Sequence, residues 1–147
     1  MASVSTYLNF DGTTEAAFTF YREVFGGEFD APVQYMRDVP SWPGQPPLTE
    51  DERNRVMHVA LAILGGHRIM GTDTVPSMGD TCVAGNNVSI NLQPDTRAET
   101  DRLFAALSEG GAVEMPLQEM FWGAYFGHCV DRFGTRWMFN CEEPAGD

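Results

Sequence analysis

The sequence repeats itself, and this internal repeat constrains the possible folds more than any other feature of the chain. A shift of 84 positions aligns residues 4–36 with residues 88–120 at eleven identical positions, where chance pairing would give roughly two. A shift of 68 positions then aligns Gly66, Arg68 and Met70 with Gly134, Arg136 and Met138. The sequence therefore predicts two related modules, 4–73 and 86–141, within one domain that covers residues 1–147.

The smaller second shift means that the first module contains an insertion, which we assign to residues 37–55. This segment is rich in proline and in charged residues, a composition that favours irregular structure with at most one short helical turn. Insertions of this kind often form binding loops. We therefore expect residues 37–55 to cover the mouth of a cavity as a mobile lid.

The composition excludes several classes of partner and chemistry. The chain has a net charge of −12, with nine basic residues, and none of them is lysine. Such a surface does not suit the phosphate backbone of a nucleic acid, and a chain without lysine cannot form a Schiff base with a pyridoxal cofactor. Three widely spaced cysteines suggest neither a disulfide framework nor a zinc site. With no signal peptide or membrane-length apolar run, a cytoplasmic protein is predicted.

Hydrophobic periodicity predicts the same order of elements in both modules. Strands are expected at 4–10, 28–36, 56–64 and 67–73, and again at 87–93, 112–120, 124–130 and 135–141. Helices are expected at 13–25 and 96–107. The buried stripe of the first helix is assigned to Ala16, Ala17, Phe20, Tyr21 and Val24. Each module is thus βαβββ, an α+β fold in which a curled mixed sheet carries its helices on the outside.

One face of the predicted sheets is unusually polar, and this face indicates a binding site. Alternation places Ser5 and Tyr7 on this face in the first module, with Asn91 at the matching place in the second. The repeat also matches His58 with Phe126 and Ala60 with His128. If these faces meet, they enclose a cavity lined by Tyr7, His58, Asn91, Arg136, Phe126 and His128. A concave site with apolar walls and a few polar groups is typical of small-molecule binding.

The candidate residues allow more than one interpretation. His58 is either a general base with Tyr7 as its partner or a hydrogen-bonded histidine of the core. His67 is expected in an exposed turn. Trp122, followed by a glycine, either contacts a ligand or closes the end of a strand.

The repeat-related arginines Arg68 and Arg136 also have two interpretations. They either clamp an anionic ligand or neutralise nearby carboxylates. We assign ligand binding to Ser5, Asn91, Trp122, Phe126, His128 and Arg136.

Several phrases of the sequence resemble one known family. EAAFTFYREVFGGE, VMHVAL, GNNVSINL and MPLQEMFWGAYFGHCVDRFGTRWMFN are similar to the PhnB-like branch of the vicinal oxygen chelate superfamily, to which glyoxalase I and bleomycin-resistance proteins belong. The resemblance implies a paired-module fold and a homodimer. It also implies metal ligands at the first and last strands of each module, which correspond here to Ser5, Met70, Ser89 and Met138.

Serine and methionine are poor ligands for the divalent ions that carboxylate or imidazole bind. We therefore expect no metal and no cofactor. Two functions remain open: a protein that binds or sequesters a small molecule in a metal-free pocket, and a metal-independent enzyme that acts on a small aromatic or polyketide-like substrate with His58 as base. A metal-dependent lyase fits less well, and so does a methyltransferase, because no glycine-rich loop follows any strand.

Overall fold

The computed structural model describes residues 1–146, and the chain divides into two compact units, Met1–Val83 and the residues from Ala84 onward. The first unit contains β1 Thr6–Phe10, α1 Thr14–Phe25, β2 Gln34–Tyr35, α2 Glu50–Arg53, β3 Val56–Ala62 and β4 Arg68–Asp73. The second contains β5 Ile90–Leu92, α3 Arg97–Ser108, β6 Ala112–Glu119, β7 Tyr125–Val130 and β8 Arg136–Cys141.

Each unit has one four-stranded mixed sheet, and the two sheets have equivalent strand orders. The orders are β1-β4-β3-β2 and β5-β8-β7-β6, with the first strand of each unit parallel to its last strand and the other pairs antiparallel. The predicted α+β fold of tandem βαβββ modules is confirmed. The strands form two separate, uncurled sheets, in place of the single curled sheet that was expected.

Strand register reproduces the sequence repeat residue by residue. In the first sheet Tyr7 pairs with Met70, and Met70 pairs with Ala60. In the second sheet the matching row is formed by Asn91, Met138 and His128. Tyr7 aligns with Asn91 at the shift of 84 positions, and Met70 and Ala60 align with Met138 and His128 at the shift of 68. Residues related by the repeat therefore occupy equivalent places in the two sheets.

Helix α1 buries a stripe that differs from the predicted one. Thr14 and Phe18 are fully buried, together with Ala17, Tyr21 and Val24, whereas Ala16 is exposed and Phe20 is only partly buried. The reason lies in Gly71 on β4, where an added Cβ would come within 2.4 Å of the Phe18 ring. The missing side chain allows the helix to approach the sheet with Phe18 inward, which periodicity alone does not indicate.

Strand β2 is much shorter than the predicted strand 28–36. Only Gln34 and Tyr35 form the strand, and Phe29 makes a single isolated bridge to Leu61. Pro32 lies between them and has no N–H to donate to a ladder. Strand β5 is likewise shorter than predicted, with only three residues.

Two buried carboxylates organise the turns of the units. Asp73 accepts hydrogen bonds from the backbone N–H groups of Gly12, Thr14 and Val56 at 2.8 to 3.1 Å. In the second unit Asp131 accepts from the Trp137 indole N–H at 2.8 Å and from backbone N–H groups of its own turn. Such bonds to a charged acceptor offset the cost of burying it.

The insertion 37–55 contains the short helix α2 and the end of a 3-10 turn, Met36–Asp38, and its C-terminal end is anchored. Helix α2 begins with a capping box in which Thr49 and Glu52 bond each other's backbone N–H. The buried Glu52 carboxylate also accepts hydrogen bonds from the Ser77 hydroxyl at 2.5 Å and the Ser77 N–H at 2.8 Å. The lid function of the insertion stays a prediction. No helix within residues 1–146 is long and apolar enough to cross a membrane.

The contacts of Glu52 predict an acid-sensitive contribution to stability. The hydrogen bond from Ser77, followed by those of the backbone, lowers the pKa of Glu52 from 4.5 to about 2. A carboxylate with a lowered folded-state pKa stabilises the fold fully above its ordinary pKa, and the contribution disappears as pH falls through the folded value. We expect Glu52→Gln to lower the melting temperature at neutral pH and to converge on the wild type as pH falls from 4.5 toward 2.

The matched control is Glu50→Gln, which removes an exposed carboxylate from the same short helix. Its melting temperature should follow the wild type throughout this range. A constant difference between Glu52→Gln and wild type down to pH 2 would contradict the prediction.

Candidate functional site

In the first unit, Tyr7 and His58 form a hydrogen-bonded pair on the sheet. Tyr7 lies on β1 and His58 on β3, with β4 between these strands. The Tyr7 hydroxyl nevertheless reaches the His58 Nδ1 atom at 3.0 Å, and the ring centroids are 5.8 Å apart. The predicted partnership of these residues is therefore present as a contact, whereas a catalytic role stays a hypothesis.

The Tyr7 hydroxyl can donate to His58 Nδ1 or accept from an Nδ1–H group, so the direction of this hydrogen bond follows the tautomer of His58. Partial burial raises the pKa of Tyr7 above 10.0, so its hydroxyl keeps its proton at neutral pH. If that proton is donated to Nδ1, neutral His58 carries its own proton on Nε2. No other hydrogen bond to the His58 side chain is present in the described part of the chain. The Nε2 atom is thus available to a ligand.

His67 does not lie in an exposed turn, as the sequence suggested. It is partly buried, and its Nε2 atom lies 2.8 Å from the Thr6 hydroxyl. The parallel register of β1 and β4 pairs Thr6 with Ile69, which brings the start of β1 beside His67. Long-range pairing of this kind cannot be read from the local sequence.

In the second unit, four aromatic rings form a continuous series. The Phe121 and Trp122 centroids are 4.9 Å apart, Trp122 and Phe126 are 5.9 Å apart, and Phe126 and His128 are 6.3 Å apart. All three contacts are edge-to-face, the arrangement that aromatic pairs prefer. We call these residues the ring series. Three of its members, Trp122, Phe126 and His128, were predicted to contact a ligand.

The outer end of the ring series lies on a tight turn. Gly123 donates to the Met120 carbonyl at 2.9 Å, which places Phe121 and Trp122 at the two central positions of the turn. Such positions usually hold glycine, proline, asparagine or aspartate. Here the side chains are 96% and 51% exposed. A turn that presents two large rings to solvent indicates a binding surface.

Glu114 is a site residue that the sequence analysis missed. Val113 pairs with Cys129 and Met115 pairs with the next residue, His128, so Glu114 is an extra residue in a β-bulge of β6. A bulge puts two residues of one strand opposite one residue of its partner and redirects a side chain. The Glu114 carboxylate consequently lies 3.5 Å from the His128 Nδ1 atom and forms an ion pair with Arg136.

Each unit contains an equivalent ion pair. In the first unit the Arg68 Nε atom lies 2.5 Å from the Asp30 carboxylate. A shift of 68 positions aligns Arg68 with Arg136, and a shift of 84 positions aligns Asp30 with Glu114. Both arginines therefore neutralise a carboxylate, the second of the two interpretations that the sequence allowed.

The remaining predicted residues occupy separate places. Ser5 is exposed and directly precedes β1, and Asn91 is exposed on β5. Tyr7 and His58 are brought together in the first unit, and Phe126, His128 and Arg136 in the second, the last of these through Glu114. A single cavity lined by residues of both units stays a prediction.

The residues that are present do not fit the divalent metal of the superfamily. Within residues 1–146 no group of three or more histidine, cysteine, aspartate or glutamate side chains is arranged to hold a metal ion. The row that contains Met70 holds Tyr7 and Ala60, and the row that contains Met138 holds Asn91 and His128. His128 is the only imidazole in these rows, and the nearby Glu114 is already paired with Arg136.

The buried thiol of Cys129 is also unsuited to act as a nucleophile. Burial, with the charges of Asp131 and Glu114, raises the pKa of Cys129 to about 12, so the thiol stays protonated.

Two βαβββ units of equivalent register define a glyoxalase-like fold. The family model described as 3-demethylubiquinone-9 3-methyltransferase matches residues 2–139. Protein YjdN of Escherichia coli (strain K12) is 30% identical over 142 residues, which cover 93% of each chain. The chain therefore belongs to this family, the PhnB-like branch of the superfamily.

Two solved structures show the same fold. Protein PA1353 from Pseudomonas aeruginosa is 37% identical, with a TM-score of 0.82 and coverage of 97% of this chain and 98% of that one. The PhnB protein from Bacillus cereus is 23% identical, with a TM-score of 0.71 and coverage of 95% and 99%.

The Tyr7–His58 contact predicts one tautomer of His58. Because a phenolic O–H is a better donor than acceptor, we expect Tyr7 to donate to Nδ1 and neutral His58 to carry its proton on Nε2. Long-range ¹H–¹⁵N correlation spectra of the imidazole should show this tautomer in the wild type and a mixed population in Tyr7→Phe. Thr6→Val, which removes the partner of His67, serves as control and should leave the His58 spectrum unchanged. An unchanged tautomer in Tyr7→Phe would contradict the prediction.

Proposed function

We propose that this protein binds a small aromatic molecule on the ring series of its second unit, without a metal ion, and sequesters it. The observation that carries the proposal is the exposure of Phe121 and Trp122 on a tight turn, in contact with Phe126 and His128. A flat ligand packed against these rings would remove them from water. Burial of aromatic surface and edge-to-face contact would both favour such a complex.

The chemistry of the available donors supports binding without metal. The resemblance assigns the family's metal positions to Ser5, Met70, Ser89 and Met138, and neither alcohol nor thioether holds a hard or borderline divalent ion. Beside them, the described residues of the second unit offer only one imidazole, His128, and one carboxylate, Glu114, which is already paired with Arg136, and these two groups are too few to hold a divalent ion. Binding on the ring series needs no ion, because the affinity would come from surface burial.

A second candidate function is a metal-independent enzyme in which His58 transfers a proton. The observation that favours it is the Tyr7–His58 hydrogen bond of 3.0 Å, which orients the imidazole while leaving Nε2 unoccupied. To act as a base, His58 would have to present an unprotonated Nε2, which requires Nδ1–H to donate to Tyr7. Metabolite extracts incubated with wild type and with His58→Gln distinguish the candidates. Depletion of a compound by the wild type alone would support an enzyme, and equal profiles would count against it.

The family description does not by itself make this chain a methyltransferase. The common nucleotide-dependent methyltransferases place a glycine-rich loop after a strand to hold the cofactor. No such run follows any strand of this sequence. A metal-dependent lyase is disfavoured for the reasons given above for the metal positions.

We further propose a cytoplasmic homodimer. All three cysteines are free thiols, as in a reducing compartment. Strand β6 is an edge strand with an exposed Val113, and an open edge favours association with a second copy. A mass near 16.3 kDa by light scattering at micromolar concentration would contradict the dimer.

The ligand proposal predicts unequal effects of two tryptophan substitutions. Trp122 and Trp42 are almost equally exposed, at 51% and 53%, but only Trp122 belongs to the ring series. Thermal-shift screening with planar aromatic compounds should identify ligands for the wild type. Trp122→Leu should weaken their binding about threefold to tenfold, the value of one aromatic contact. Trp42→Leu should not change it.

The same titrations test whether binding needs a metal. Affinity measured after exhaustive dialysis against EDTA should equal that of undialysed protein, and elemental analysis should show no stoichiometric zinc, nickel, manganese or iron. Equal losses in both tryptophan variants, or loss of binding after chelation, would each refute part of the proposal.

A further inference from the structure

We infer that Glu114 determines which aromatic molecules the ring series accepts, by taking a hydrogen bond from an O–H or N–H group of the ligand. The inference rests on the proposed function and assigns the chemical class of its ligand. Four properties of Glu114 carry it: its place in the β-bulge, the occupancy of its two oxygens, its charge balance, and the contrast with its counterpart in the first unit.

The bulge brings Glu114 to the inner end of the ring series. Because Glu114 and Met115 together oppose His128, the carboxylate comes within 3.5 Å of the His128 ring. His128 is the last member of the ring series. Gly127 on β7 permits this local shape, since a Cβ there would lie 2.9 Å from the Met115 carbonyl oxygen. A ligand lying along the rings would therefore end beside Glu114.

The carboxylate has one oxygen to spare. Oε1 contacts both Arg136 and His128, whereas Oε2 has no hydrogen-bond partner among residues 1–146. The Glu114 side chain is 37% exposed, so this oxygen is not sealed inside the protein. An ionised carboxylate oxygen is a strong acceptor and offers nothing to a ligand that lacks a donor.

The charges around Glu114 restrict the class of ligand further. Arg136 already neutralises Glu114, so a cationic ligand is not required to balance the charge of this carboxylate. An anionic ligand would meet the free Glu114 oxygen in a protein whose net charge is −12. The site therefore suits a neutral flat aromatic molecule that carries a phenol or an N–H donor.

The first unit supplies an internal contrast. Asp30 and Arg68 form the equivalent ion pair, but the repeat replaces Phe126 with His58 and His128 with Ala60. The equivalent carboxylate therefore has no ring series leading to it. Asp30→Asn removes a comparable charge from a comparable pair and is the matched control for Glu114→Gln.

Three naphthalene probes test the inference by isothermal titration calorimetry on the full chain. 2-Naphthol carries a donor, 2-methoxynaphthalene has the same ring without the donor, and 2-naphthoate is anionic. We expect the wild type to bind 2-naphthol about tenfold more tightly than 2-methoxynaphthalene, as one charge-assisted hydrogen bond would allow. 2-Naphthoate should bind more weakly than 2-naphthol.

Glu114→Gln should reduce the preference for 2-naphthol to about threefold or less, because a neutral amide oxygen is a weaker acceptor. Asp30→Asn should keep the full preference. If Glu114→Gln does not fold, the relative affinities of the three probes for the wild type still test whether the site prefers a neutral ligand that carries a donor. Binding of the probes with no preference for the donor, tighter binding of 2-naphthoate, or a preference that survives Glu114→Gln would overturn the inference alone. Absence of binding by all three probes to the wild type would overturn both the inference and the proposed function on which it rests.

Discussion

The open face of each sheet depends on how the last strand pairs with its two neighbours. In the first unit Met70 on β4 lies between Tyr7 on one side and Ala60 on the other, and Met138 on β8 lies between Asn91 and His128 in the second. Because side chains alternate with a period of two, a slip by one residue would turn every one of these side chains toward the helix. The buried residues on the opposite faces, such as Ile69 and Trp137, hold this register in place.

Equivalent positions of the two sheets hold chemically different side chains. At equivalent places the first sheet has Tyr7 and His58, which contact each other, and the second has Asn91 and Phe126. Ala60 is replaced by His128, which extends the ring series and meets Glu114. Duplication has preserved backbone geometry and one ion pair while the open faces have diverged. One unit presents a hydrogen-bonded imidazole, and the other presents aromatic surface.

Sequence reasoning succeeded where a feature depends on periodicity and failed where it depends on close packing or on partners distant in the sequence. The tandem βαβββ order follows from the repeat and from alternation, and the Tyr7–His58 contact follows from placing both residues on one polar face. Glu114 was missed because its partners, His128 and Arg136, lie on two other strands and are not indicated by the local pattern. The stripe of α1 was misassigned because Gly71 admits Phe18, and His67 because a partner 61 positions away binds it.

In the metal-free binding that we propose, the bulge of β6 could still make the site selective. The metal of a vicinal oxygen chelate site orients its ligand through directional bonds, and our proposal gives Ser5, Met70, Ser89 and Met138 no comparable role. Aromatic rings alone provide affinity with little direction, since any flat molecule offers a face to them. Directional recognition must then come from a polar group at the end of the rings. Glu114, which lies beside His128 in the bulge of β6 and is paired with Arg136, is such a group.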